Sequence, residues 1–165
     1  LLYPDAAARR EQFKPLRRYA FGLVGLVFVM VLSGGLVAGI RAGFAYNTFP
    51  LMNGHVVPAE ILMLEPWFLN FVNNMATVQF DHRLIAWLLA ALIPAFWWRA
   101  RSLPGLPSRA RTGAGLLLAM LAVQITLGIA TLLHQVPVAL GAAHQGGAAL
   151  VLALSLGLAH SLHRR

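Results

Sequence analysis

The sequence predicts an all-α integral membrane protein, a four-helix bundle, and three observations carry that prediction. The 165-residue chain is 59% hydrophobic and only 11% charged, too little charge to cover a water-soluble surface. Four segments are apolar over the roughly 20 residues needed to cross a hydrocarbon core about 30 Å thick. The basic residues gather at the ends of these segments, nearly all on one side.

The spans are expected at about 19–40, 75–98, 113–133 and 138–162, forming one domain over 1–165 with a loop at 41–74. The opening stretch "LLYPDAAARREQFKPLRRYAF" has no short apolar core ending at a small-residue cleavage site, so it does not read as a secretory signal and is expected to continue a longer chain. The first span carries "SGGLVAG", in which Gly35 and Gly39 have the small-xxx-small spacing of close helix packing. In the loop, Pro66 followed by Trp67, Phe68, Phe71 and Val72 gives helix-start chemistry and an apolar face, which predicts a short interfacial helix. An irregular segment anchored by Trp67 is the alternative. Within the second span Pro94 is expected to kink the helix. The last two spans are joined only by a short connection around "HQVP".

Thirteen Lys and Arg against five Asp and Glu would suggest nucleic acid in a soluble protein, but here their placement decides the meaning. One side holds Arg9, Arg10, Lys14, Arg17, Arg18, Arg99, Arg101, Arg109, Arg111, Arg164 and Arg165; the other holds Arg41 and Arg83. The positive-inside bias therefore puts both termini and the 99–112 connection in the cytoplasm, the 41–74 loop outside, and membrane lipid, with no nucleic acid, around the chain. The absence of cysteine removes disulfides, thiolate metal sites and cysteine nucleophiles together. No phosphate loop, metalloprotease motif or nucleophile elbow is present, so any metal site must use His, carboxylate or amide.

Depth separates the six histidines, and two of them lie well inside the outer half of a span. His82 falls about seven residues from the outer end of the second span and His144 about six from that of the fourth, so at ~1.5 Å per residue both lie about 10 Å deep. Two imidazoles at one depth on different helices suit a planar macrocycle held edge-down between them, with one histidine on each face of its iron. The small residues of "GAAHQGGAAL" around His144 leave room for such a group, or alternatively serve helix packing. Arg83 either reaches the headgroups or pairs with an anionic ligand group. Asp81 has three options: pairing with Arg41, orienting an imidazole, or sitting wet at the interface. His134 is a helix-end residue close enough to be a minor candidate ligand. Nothing singles out His55, His160 or His163. Gln124 and Ser33 more often join helices by hydrogen bonds than act chemically.

The segments "GGLVAGIRAGFAYNTFPLMNGHVVP", "VQFDHRLIAW" and "LGIATLLHQVPVALGAAHQ" resemble the carboxy-terminal half of the haem A synthase family, of the cysteine-free mitochondrial and proteobacterial type. The resemblance covers nearly the whole chain. It implies an eight-helix pseudo-symmetric fold made of two four-helix halves, and an oxidoreductase that converts haem O to haem A by oxidising a porphyrin methyl to a formyl. It implies haem b in this half, with His82 and His144 as axial iron ligands and a propionate contact from Arg83. Haem O would be the substrate of the half missing here, with haem O synthase and an electron donor as partners, a homo-oligomer allowed, and the bacterial inner membrane as location. Where the amino-terminal half of the family has a glutamate three residues before its first histidine, this chain has Gln79, a neutral amide that cannot act as a carboxylate base. This half is therefore expected to relay electrons and to be catalytically incomplete alone. Arg41 and His134 depart from the family pattern. Two other readings stay open: a free-standing b-type membrane cytochrome and a haem-free membrane assembly protein.

Overall fold

The computed structural model describes residues 6–163, with side chains from residue 11 onward. Arg164 and Arg165, and the first five residues of the opening stretch, lie outside the described residues; Arg9 and Arg10 are placed as backbone only.

Four long helices build the molecule: α1 (Ala6–Gly39), α3 (Met75–Ser102), α4 (Ser108–Leu133) and α5 (Val138–His163). Each is long and apolar enough to cross a membrane. The short α2 (Asn70–Asn73) lies in the loop between α1 and α3, and no strand occurs among the described residues. All four long helices pack in a ring: α1 on α3, α3 on α4, α4 on α5 and α5 back on α1, which leaves α3 and α5 diagonal to each other.

Successive helices are antiparallel. Tyr19 near the start of α1 donates to the Leu92 carbonyl near the end of α3 (2.7 Å), while Ser33 near the end of α1 meets His82 near the start of α3. The Leu92 carbonyl lies two residues before Pro94, in a region where the helix ladder lacks one N–H donor. α3 nevertheless runs unbroken through Pro94 from Met75 to Ser102. At its start, the Asn74 side-chain oxygen accepts from the backbone N–H of Ala76 and Thr77, satisfying two orphan donors, and Arg99 and Arg101 complement the dipole at its other end.

The two ends of the ring are packed differently. At the end bearing Arg99, Arg101 and Arg109, the basic end, side chains from all four helices close an apolar core that includes Leu23 and Val27 of α1, Ile93 and Phe96 of α3, Leu117 of α4 and Leu158 of α5. At the opposite, loop end the core stops. No residue is buried along 28–39 of α1, 80–88 of α3, 125–133 of α4 or 138–146 of α5. Outward, Phe28, Leu32, Trp87, Leu116, Val123 and Leu150 stand exposed, as lipid-facing positions must.

The loop over residues 40–74 is ordered by polar side chains. Arg41, at φ 57, ends α1 in the left-handed region, and a 3-10 turn follows at Ala42–Phe44. Asn70, fully buried, exchanges hydrogen bonds with both the N–H and the C=O of Leu64 and also donates to the Trp67 carbonyl. Its side-chain oxygen also accepts from Asn74, whose amide reaches the Glu60 carbonyl. The interfacial helix expected after Pro66 takes the form of a 3-10 turn, Trp67–Leu69, followed by the single turn of α2. Buried Asn70 ties this segment inward, so Trp67, Phe68, Phe71 and Val72 are left on its exposed side.

Candidate functional site

His82 follows Met75 by seven residues on α3 and His144 follows Val138 by six on α5, so both sit at the loop end, roughly 10 Å below the helix starts. Because α3 and α5 are diagonal, the two imidazoles are presented from opposite corners of the part of the ring that has no buried core.

Glycines on the intervening helices make room for both rings. A Cβ at Gly34 of α1 would stand 3.3 Å from Cε1 of His82, and one at Gly128 of α4 would stand 2.9 Å from Cε1 of His144. The close-packing signal at Gly35 and Gly39 belongs elsewhere, since a Cβ at either position would meet nothing within 4 Å. The glycines that matter touch imidazoles on neighbouring helices, a relation that no spacing rule within one helix reveals.

The second ring nitrogens are treated differently. Nδ1 of His82 lies 2.8 Å from the Ser33 hydroxyl, which also donates to the Met30 carbonyl one turn back (2.9 Å). Nδ1 of His144 is buried with no partner, and so is the side-chain oxygen of Gln124, although the Gln124 amide donates to the His144 carbonyl (2.9 Å). Gly147, three residues beyond His144, admits Gln124 so closely that a Cβ there would stand 2.6 Å from its Oε1.

Arg83 caps this region from above. Its guanidinium donates to the carbonyls of Tyr46 and Thr48 (3.1 and 3.0 Å) and, at 3.3–3.4 Å, to those of Pro50 and Leu51; it also reaches Oε1 of Gln79. Gln79 in turn donates to the Ala42 carbonyl. The "YNTFPLM" stretch is therefore strapped to the first turns of α3 by Arg83, which is braced by Gln79 four residues earlier on the same helix. Asn47 fastens the same stretch to the end of α4 through the Leu132 carbonyl (3.0 Å), and Phe49 stacks on Trp87. Beneath it, Gln135 and Val136 reverse the chain with φ of 59 and 57. The Val136 side chain abuts the backbone at Gly43, where a Cβ would stand 3.0 Å from it.

Of the other candidates, Asp81 is half-buried and forms no ion pair with Arg41; the ion pair among the described residues is Lys14–Glu11 on exposed helix surface. His134 is exposed, with its ring bonded to the Ala130 carbonyl of its own helix. His55 lies in the loop, bridged by backbone to Met52. His160 and His163 are exposed at the basic end, far from the imidazole pair.

A cavity of about 340 Å³ opens in the loop, lined by Tyr46, Glu60, Asn74 and Met75 among others, and is separate from the imidazole pair. Within it the Tyr46 hydroxyl donates to a Glu60 carboxylate oxygen (2.7 Å). Burial, reinforced by that bond, pushes Tyr46 up to about 12, and the same bond holds Glu60 below the ordinary carboxylate range. Ser33, Gly34 and Gly128 are the site residues that the sequence did not single out for this chemistry. Ser33 carried only the general signal of a hydroxyl inside a span.

Comparison with known proteins places this chain in a family. Residues 2–156 match the model of a family described as cytochrome oxidase assembly protein. The chain is similar to the heme A synthase of Nitrosospira multiformis, at 61% identity over 91% of this chain and 42% of the relative. Similarity to the heme A synthase of Nitrosomonas eutropha stands at 54% identity over 89% and 41%. For the Homo sapiens heme A synthase it is 40% over 99% and 40%. The chain thus spans about two fifths of the length of these relatives. No solved structure matches it. With four membrane-length helices and a match running from residue 2 to residue 156, the chain belongs to the haem A synthase family of cytochrome oxidase assembly proteins.

Proposed function

We propose that this chain is the haem b-binding carboxy-terminal half of a haem A synthase, in which His82 and His144 would hold the iron. The observation that carries the reading is the imidazole pair on diagonal helices, at matched depth, in the part of the ring that has no buried core. Supporting it, the intervening helices offer glycine where each ring approaches. Two imidazoles, with no cluster of three or more His, Asp or Glu among the described residues and no cysteine in the chain, suit an iron held by its macrocycle better than a bare metal ion, which would want more side-chain ligands.

Bound there, the haem would supply one-electron chemistry between ferric and ferrous iron. The protein's own part is to hold the two ring nitrogens toward the iron and to exclude water from below with the closed core at the basic end. Arg83 keeps a positive charge at the upper mouth, where haem propionates would find it while the loop carbonyls fix its position. Gln79 is neutral and already engaged by Arg83 and Ala42, so no proton acceptor stands three residues before His82. Electron relay, with the methyl oxidation of haem O carried out by a second half, follows from that. An electron donor and haem O synthase are the partners this reading implies, with the bacterial inner membrane as location, and the charge asymmetry supports a basic end that faces the cytoplasm.

Reduced-minus-oxidised visible spectra of the detergent-purified protein test this. A low-spin b-type spectrum that is lost in both His82→Ala and His144→Ala is the expected result. A folded wild type without haem absorbance would instead favour a haem-free assembly role.

A further inference from the structure

The two imidazoles are unequal, and the inequality starts at Ser33. Its hydroxyl has one proton and two strong acceptors within reach, the Met30 carbonyl at 2.9 Å and Nδ1 of His82 at 2.8 Å, with the weakly accepting Met30 sulfur at 4.0 Å. If the proton pointed at Nδ1, the contact with Met30 would be lost and one hydrogen bond would form. If it points at Met30, then Nδ1 carries its own proton and donates it to the hydroxyl oxygen, and both bonds form. Inside a membrane span no water replaces the missing bond, so the arrangement with two bonds wins. A His82 protonated on Nδ1 has a bare lone pair on Nε2. No such partner exists for Nδ1 of His144, which is buried and unpaired.

We propose that Ser33 is a positioning residue for the iron site: by accepting the Nδ1 proton of His82 it fixes the tautomer that offers Nε2 as ligand and makes His82 the stronger donor of the pair. The proposal rests on the haem reading above. A ligating histidine whose other N–H is hydrogen-bonded becomes more basic and rotationally fixed, which stabilises the ferric state and slows loss of the group. Ser33 reaches His82 from α1, so it also makes the iron site depend on a helix that bears neither ligand.

The test uses the full chain as its gene encodes it, comparing wild type, Ser33→Ala, Ser33→Thr and His82→Ala by redox titration of the b-type band and by haem transfer to an apo-haem-protein acceptor. Ser33→Ala is expected to keep a low-spin spectrum, shift the midpoint positive and lose haem on the order of 10- to 100-fold more readily, with Ser33→Thr restoring both. A wild-type midpoint and retention in Ser33→Ala, beside a spectrum lost in His82→Ala, overturn the role of Ser33 and leave the haem site standing. Changes in Ser33→Ala that Thr fails to restore also overturn it, as packing and not the hydroxyl would then be at work. A wild-type protein without b-type absorbance overturns the haem reading and this role together.

Discussion

A methyl group is the smallest probe of the site at the residue scale. Ala at position 128 would put a Cβ 2.9 Å from His144 Cε1, and the ring, being the free end of its side chain, would swing away before the backbone moved. We expect Gly128→Ala to reduce the haem content of the purified protein several-fold, with about 1–3 kcal/mol of repacking cost to the folded state. Gly34→Ala, at 3.3 Å from His82, should have a milder effect, and Gly35→Ala, which opens onto empty space, should have none. Equal haem content in all three, read as the ratio of Soret to protein absorbance, would show that the rings need no such clearance.

At the scale of elements, the loop and α3 hold each other through a few polar side chains. Arg83→Ala removes hydrogen bonds to four loop carbonyls at once and leaves Gln79 with only its bond to Ala42. Hydrogen exchange over residues 46–53 should rise at least tenfold in that variant while exchange within α4 stays unchanged. That corresponds to losing about 1.4 kcal/mol, near the net worth of one hydrogen bond to a charged group. The Tyr46–Glu60 bond sets a pH range for the same loop. Glu60 is held below its ordinary value of 4.5, so its contribution is present above that value and fades as pH falls through the lower folded one. Tyr46 is raised from 10 to about 12, so its contribution is full below pH 10 and is lost as pH climbs toward 12. Loop exchange, corrected for the intrinsic pH dependence, should therefore stay low from about pH 5 to pH 10 and rise on both sides. Tyr46→Phe should flatten that profile, and an unchanged profile would assign the pH sensitivity to other groups.

Across the whole molecule, the ring divides into a closed half and an open half, and the division follows side-chain size. Leu, Ile and Phe fill the basic end, where the core is complete; Gly, Ser and His occupy the loop end, where it is not. The orientation of that axis in the membrane is testable because these 165 residues hold no cysteine, so each cysteine introduced is unique among them. Asn53→Cys should react with a membrane-impermeant maleimide added to intact cells, and Ser102→Cys only after the cells are opened. The reverse pattern would invert the topology drawn from Lys and Arg.

Much of this was already written in the order of residues. Length of apolar runs determined the four helices, because a bilayer offers no partner for unpaired backbone and a helix satisfies its own. The depth of His82 and His144 followed from counting along those helices, since the rise per residue is constant. Neither count could say that α3 and α5 are diagonal, that Ser33 meets His82, or that Gly34 and Gly128, and not Gly35 and Gly39, face the imidazoles. Nor could it show that Arg83 grips the loop carbonyls, because backbone acceptors leave no trace in sequence. Periodicity within a helix reports which residues share a face; which neighbour that face meets depends on how the helices are arranged around the ring, and only tertiary packing decides it.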